Sequence, residues 1–468
     1  MTGSGTTSSA ELLLEFERAG RDGPLHRQLE HALRSAVCAG RLAAGAALPS
    51  SRMLSEQLGI SRGVVVEAYE QLVAEGYLTS SRGGRTSVNP AIERTPGPEP
   101  AAAEPPAYRI DFAYGQPDVA EFPRAAWLRS LRRVLNDAPS ERLNYLDPRG
   151  AQELRDALAR YLNRVRGTSA ESGRVVICNG FMQGIGLVAQ LLAANGAHAI
   201  ATEDPGQLDV PDAAARFGLR TVPIPVDQDG ISVAALERSD ADAVVVTPAH
   251  HFPTGAVLSP ARRAALLIWA NAGQRLIVED DYDAEYRYDR EPIGSLQGLA
   301  PDRVIYAGSA SKTLAPGLRL GWLIAPGPLV GKLAAVKMAN DRGSASLEQL
   351  ALADFLEAGE FDRHLRRMRT VYRDRRAVLL DALRRHAPEL TPEGASAGLH
   401  VVAWLPDGVD ESAVIARAAG LGVRIPGMAR NYLGSVPRRP GLLFGYGKPG
   451  ERDIEEGIRV VAQALRAG

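Results

Sequence analysis

The segment from Asn89 to Tyr108, NPAIERTPGPEPAAAEPPAY, constrains the chain more than any other stretch. It is rich in Pro, Ala and Glu and has no apolar periodicity, so it reads as a semi-extended linker that no core can absorb. The chain must then build two units, a small one over residues 1–88 and a large one over 109–468, joined by 89–108. With 468 residues, 45% of them apolar and 23% charged, there is material for two cores. No internal repeat occurs at solenoid periods.

The remaining global features exclude classes of function. The opening MTGSGTTSSAELLLEFERAG has no basic stretch ahead of an apolar core, and no run approaches the roughly 18 apolar residues of a membrane helix. A cytoplasmic protein without a membrane role is therefore expected. Two cysteines, Cys38 and Cys178, form neither a disulfide framework nor a metal-ligand set, so no metal site is expected. A net charge of -1 gives no global attraction for a polyanion. Nucleic-acid binding would need a local patch.

In the small unit, PLHRQLEHALRSAVCAGRL places Leu25, Leu29, Ala32, Leu33, Ala36 and Val37 at helical spacing and closes at Gly40. LPSSRMLSEQLGISRGVVVEAYEQLVAEGYL then predicts a short helix with Leu54 and Leu58 inward and a turn at Gly59. An N-cap at Ser61 follows, with a second helix burying Val65, Ala68, Tyr69 and Leu72. After Gly76, YLTSSRGGRTSV reads as two short strands around a glycine turn carrying Arg82 and Arg85. Together these elements spell a winged helix-turn-helix.

Residues 24–88 resemble the DNA-binding domain of the GntR family. The resemblance implies promoter DNA as partner. It places Arg52, Ser61, Arg62, Gly63 and Val64 at the starts of the short and recognition helices, and Arg85 with Thr86 at the wing tip. Arg85 stands where the family often has a second wing glycine. A helix N-terminus approaches the phosphate backbone, and Arg there reaches phosphates or guanine edges. Arginines and acids are nearly balanced over residues 1–88, so tight binding calls for two copies on paired half-sites.

The large unit contains AVVVTP, RLIVEDDYDAEY and DRVIYAGSASK, three apolar runs that end in polar residues and alternate with helical segments. That pattern predicts a doubly wound, largely parallel sheet with its ligand site at the strand C-terminal ends. Asp280 and Tyr282 fall at one such end, and Ser309, Ser311 and Lys312 at another. VVICNGFMQGIGLVAQLLAA puts the backbone N–H groups of Gly180, Phe181 and Met182 at a helix start, where an anion is favourable. The chain has 54 Lys plus Arg residues but only four lysines, so a retained lysine calls for a reason. A primary amine condenses with aldehydes and a guanidinium does not. An amine, a carboxylate, a phenol and a phosphate cradle are together what pyridoxal 5'-phosphate requires.

Residues 109–468 resemble a fold-type I aminotransferase, and the whole arrangement resembles the MocR/GabR regulators. The motifs NYLDPRGAQELRDALARYL, TPAHHFPTGAVLS, IVEDDYDAEYRY and SASKTLAPGLRLGW carry the likeness. It implies an α+β winged helix-turn-helix followed by an α/β pyridoxal-phosphate-dependent transferase fold of type I, with a large doubly wound domain and a smaller C-terminal α/β subdomain. By the same resemblance Lys312 is the Schiff-base lysine, Asp280 the partner of the pyridine nitrogen and Tyr282 that of the ring hydroxyl. Ser309, Ser311 and Arg319 are candidate phosphate contacts. Tyr145 corresponds to a tyrosine that reaches the neighbouring subunit's cofactor in a homodimer.

Five positions depart from the family pattern. Gln207 replaces an aromatic near the cofactor, Asp209 falls where an Arg can occur, and Met182 replaces a common Gln. Phe252 precedes PTG where aminotransferases tend to have Asn, as is typical of the regulators. Leu442 occupies the place of the Arg that holds a substrate carboxylate, leaving Arg424 and Arg430 as candidate effector contacts. Two functions stay open. One is a regulator sensing a small amine, an amino acid or pyridoxal phosphate itself; the other is a working aminotransferase with an accessory DNA-binding domain.

Overall fold

In a computed structural model of the chain, the described residues are 23–81, 85–91, 108–289, 293–394, 396–434 and 436–467. The N-terminal stretch, Arg82 and most of the expected linker lie outside them. The chain divides into two compact units between Pro105 and Pro106. No described helix is long and apolar enough to cross a membrane.

The small unit packs three helices, α1 (Leu25–Cys38), α2 (Ser51–Leu58) and α3 (Arg62–Ala74), with a hairpin of β1 (Leu78–Ser80) and β2 (Thr86–Val88). Leu29, Leu33 and Ala36 of α1 meet Leu54 of α2 and Val65, Ala68 and Leu72 of α3 in one core. Ser50 caps α2 through its hydroxyl, which accepts from Met53 N at 3.3 Å. Gly59 then turns the chain at φ 61°, a left-handed conformation that glycine adopts without steric cost. Ser61 occupies the N-cap of α3, but its carbonyl rather than its hydroxyl takes the Val64 N–H, at 3.2 Å. The hydroxyl expected to cap the helix is therefore left exposed.

The large unit is built on an eight-stranded sheet. Its strands are β4 (Val175–Cys178), β5 (Ala199–Asp204), β6 (Arg220–Asp227), β7 (Gly230–Ile231), β8 (Ala243–Val246), β9 (Leu276–Asp281), β10 (Val304–Ser309) and β11 (Gly321–Ile324), with β3 (Ile110–Asp111) lying elsewhere. The order is β4-β11-β10-β9-β8-β5-β6-β7, and the run from β10 through β9, β8 and β5 to β6 is parallel. Alternate residues face opposite layers: Val245 and Val278 pack with the helix Phe181–Ala194, and Val244 and Ile277 with the helix Pro260–Ala272. Both faces are thus covered, as continuous apolar strands require.

A smaller antiparallel sheet of β12 (Thr391–Glu393), β13 (His400–Trp404) and β15 (Gly441–Gly445) follows, while β14 (Val423–Arg424) pairs in parallel with β3. That last pairing joins the start of this unit to its C-terminal part. Phe112 continues it, donating its N–H to Arg424 O at 2.9 Å, so the next residues, Tyr114 and Gly115, reach the ends of the main strands.

Candidate functional site

In the small unit, Ser61, Arg62 and Gly63 are exposed at the start of α3, and Val64 is half-buried behind them. The Arg62 Nε donates to Ser51 Oγ at 3.3 Å, which ties the starts of the two helices together. Arg52 pairs with Glu56 at 3.1 Å on an open helix face, a contact worth little in water and easily exchanged for a phosphate. Arg85 is exposed next to β2, its carbonyl accepting from Ser81 N at 3.1 Å, and Thr86 begins that strand. These side chains are surface groups with no fixed partner strong enough to withhold them from a polyanion.

In the large unit, the parallel strands end at a cavity of about 300 Å³. Asp280 and Tyr282 reach it from β9, Ser309, Ser311 and Lys312 from β10, and Phe181 and Met182 from the helix that follows β4. The Lys312 Nζ donates to Gly115 O at 2.6 Å. A Cβ on Gly115 would stand 3.0 Å from that nitrogen, so the glycine lets backbone close over the amine. Burial lowers the Lys312 pKa, and the carboxylates of Asp280, Asp283 and Asp209 only partly oppose it. The other lysines hold amide or carboxylate partners: Lys332 bonds Asn195, Lys337 bonds Asp341 and Lys448 bonds Asp111. Lys312 is the lysine whose amine faces a cavity.

Asp280 is buried and takes a hydrogen bond from Gln207 Nε2 at 3.0 Å. Burial pushes its pKa well up, against the effect of that amide donor. Its hydrogen-bond donor is neutral, so the carboxylate still has use for a cation. The Tyr282 hydroxyl donates to His250 O at 3.0 Å and lies 3.2 Å from His250 Nδ1.

Another part of the lining is shaped for an anion. Gly180 precedes the helix Phe181–Ala194 at φ 87°, and a Cβ there would fall 3.0 Å from Arg319 Nη2. Arg319 reaches the carbonyl of Asn179 and itself holds φ 52°. Side chains populate that region sparsely, so a guanidinium is kept there at a conformational cost of roughly 1 kcal/mol or more. Ser309 Oγ accepts from Ser311 N at 3.4 Å in the same wall. A helix N-terminus, a guanidinium and two hydroxyls converge.

The aminotransferase class I and II family model matches residues 109–412, and that of the gntR family of bacterial regulatory proteins matches residues 25–88. The chain is 36% identical to the uncharacterized HTH-type transcriptional regulator YdeL of Bacillus subtilis, across 95% of this chain and 97% of that one. It is 33% identical to the probable rhizopine catabolism regulatory protein MocR of Rhizobium meliloti, across 95% of this chain and 94% of that one. The chain belongs to the MocR/GabR family of transcriptional regulators. Its large unit also resembles a kynurenine aminotransferase of Pyrococcus horikoshii solved in complex with PMP. The TM-score is 0.71 and identity 26%, covering 78% of this chain and 92% of the other.

The family is one of DNA-binding regulators whose large module is of the pyridoxal-phosphate type. The residues present fit that cofactor: an amine faces the cavity, Asp280 lacks a bonded cation, and the missing side chain at Gly180 lets the Arg319 guanidinium lie against a helix N-terminus.

The structure does not bring every expected residue to the cavity. Arg430 lines it, whereas Arg424 lies outside the cavity lining and 3.8 Å from Asp111. Tyr145 is 79% exposed, outside its own chain's cavity lining, with the Arg342 guanidinium 5.9 Å from its ring centroid. Leu442 is fully buried in β15 opposite Ala403, a core position that points to no ligand. Sequence reasoning missed Tyr114, Gly115, Asp283 and His400, which also line the cavity. The glycine in DFAYGQPD and the last acid of EDDYD were the available signals, but neither has a periodicity that marks it.

Proposed function

We propose that this regulator binds pyridoxal 5'-phosphate at Lys312 and reads an amino acid through it. When bound, the cofactor supplies an aldehyde carbon that amines attack and an electron-withdrawing ring. Asp280 holds a proton against the ring nitrogen, and its burial makes that charge pair strong. Tyr282 contacts the ring oxygen. Gly180, Phe181 and Met182 donate backbone N–H groups to the phosphate, with Ser309, Ser311 and Arg319 completing its shell. Lys312, its ammonium form disfavoured by burial, would be the amine that holds the cofactor's aldehyde, and its Nζ would accept or return a proton when an effector amine arrives. Arg430 takes the effector's carboxylate at the cavity mouth.

The observation that carries this reading is the Lys312 amine, lowered in pKa and facing a cavity rather than a carboxylate partner. The helix-turn-helix regulators that match almost the whole chain, at 36% and 33% identity, favour sensing over turnover. We further propose a cytoplasmic homodimer in which Tyr145 serves the partner's site. Two small units then engage paired promoter half-sites through Arg52, Ser61, Arg62, Gly63, Val64, Arg85 and Thr86.

The test compares turnover with switching. The purified protein should be yellow, amino acids should change both its visible absorbance and its operator affinity, and multiple-turnover transamination should be absent or very slow. Robust turnover with no change in operator affinity would reassign the chain as an enzyme. A difference in DNA affinity between cofactor-free and loaded protein, with no response to amines, would make the cofactor itself the effector.

A further inference from the structure

The cavity holds more charge than the cofactor accounts for. Lys312, Asp280 and Arg319 are taken up by the aldehyde, ring and phosphate ends in the reading above. Of the other charged side chains lining the same space, Asp283 is bonded to His250 Nδ1 at 3.0 Å, which leaves two, Asp209 and Arg430. Among the described residues neither makes a hydrogen bond or an ion pair, although each lies within electrostatic reach of the other. Opposite charges that share a wall yet stay separate leave a gap for something that bears both signs.

Asp209 has a structural role as well, because it opens the helix Asp209–Arg216, where an acid favours the helix dipole. That role is duplicated by Asp212 in the same first turn. It also does not call for a place in the cavity lining. The carboxyl pays for its position: partial burial raises its pKa first, the neighbouring Asp212 adds to this, and Lys312 and Arg430 only partly relieve it. An ammonium group placed beside Asp209 would remove that cost, and a second carboxylate would increase it.

We propose that the effector is an amino acid carrying a second amine, with Arg430 holding its carboxylate, one amine engaging the Lys312 site, and Asp209 holding the other. The proposal rests on the amino-acid-sensing reading and narrows it to one chemical class. The only covalent change would be an amine exchange: the effector's nitrogen would bond the cofactor's aldehyde carbon as the bond to Lys312 Nζ breaks, and the incoming amine's proton would pass to the released lysine. Asp209 thereby sets specificity without touching the reacting carbon.

The experiment titrates the cofactor-loaded protein with L-lysine, L-ornithine and L-2,4-diaminobutyrate, each against the monoamino acid of equal length and against L-glutamate, following visible absorbance. At least one diamino acid should bind about tenfold tighter than its monoamino counterpart, the size expected of one charge-assisted hydrogen bond, and glutamate should bind weakest. Asp209→Asn should remove this preference and Asp209→Glu should retain it, while the absorbance of each variant before titration confirms a loaded site. Equal affinities across the three classes overturn the role of Asp209 but leave amino-acid sensing standing. A loss in Asp209→Asn that is the same for all probes assigns the residue to the helix alone and also overturns it. Absence of any spectral response takes down the sensing reading together with this one.

Discussion

The two units keep their functional charges in opposite states. In the small unit Arg52 has 80% of its side chain exposed, and its partner Glu56 is a replaceable surface acid. In the large unit Asp280 is 4% exposed and Lys312 is lowered in pKa by burial. Exposed arginines bind through the number of phosphates they neutralise, a free energy set by salt. Buried groups bind through what relieves their desolvation, a free energy set by the ligand's chemistry. On the proposed function, one chain carries a recognition surface tuned by ionic strength and a sensor tuned by chemical identity.

The largest expected effect separates these two completely. Lys312→Ala should abolish the cofactor's protein-bound absorbance band and every amine response, yet retain operator binding in the absence of effector. Electrophoretic mobility shift and absorbance on the same preparation check it. If the variant also loses DNA binding, the small unit depends on the loaded sensor and the division between surface and cavity fails.

The reciprocal substitution should be smaller. Arg62→Ala should weaken operator binding by about 1–3 kcal/mol if the side chain reads a base, while leaving absorbance and effector titration as in the parent protein. Binding isotherms at matched salt, for the operator and for a scrambled duplex, decide the manner of contact. A loss confined to the operator marks base reading. An equal loss on both duplexes with a flatter salt slope marks a phosphate contact instead.

The same contrast explains which features were legible beforehand. Helical spacing disclosed the small unit down to the buried set Val65, Ala68, Tyr69 and Leu72, because a short three-helix core is made of neighbours in sequence. The apolar runs disclosed β8, β9 and β10, and the rarity of lysine singled out Lys312. The cavity's remaining lining was hidden, since Tyr114, Gly115, Asp283 and His400 come together only through the register of distant strands and loops. Choosing between Arg424 and Arg430 was beyond local pattern for the same reason. Six residues apart, one ends beside Asp111 and the other lines the cavity. Gln207 was read as a missing aromatic, and its bond to Asp280 came into view only with the two loops in place.

The smallest expected effect tests whether buried charge shapes the stability of the large unit as well as its ligand preference. Burial holds Glu203 and Glu279 neutral, pushing them up to about 8 and about 7. Unfolded carboxyls ionise near 4.5, so the stabilising contribution of these two is fully present below that pH and is lost as pH rises toward 7 to 8. His251 and His400 run the other way. Burial brings both down from 6.5 to about 3, so their contribution is present above pH 6.5 and is lost as pH falls toward 3. With the two limbs opposed, the unfolding midpoint of the large unit should peak between about pH 5 and 6.5. Glu203→Gln keeps an acceptor for the Thr247 hydroxyl, now bonded at 2.6 Å, and for the Thr247 N–H at 3.0 Å. It should flatten the alkaline limb by no more than about 1.4 kcal/mol per pH unit and leave the acid limb unchanged. Thermal melts across pH 4 to 9, compared at equal cofactor loading, measure it. A variant whose midpoint follows the parent at every pH would show that Glu203 is ionised in the folded protein, its charge carried by Thr247 and by His251, whose Nε2 lies 3.6 Å away.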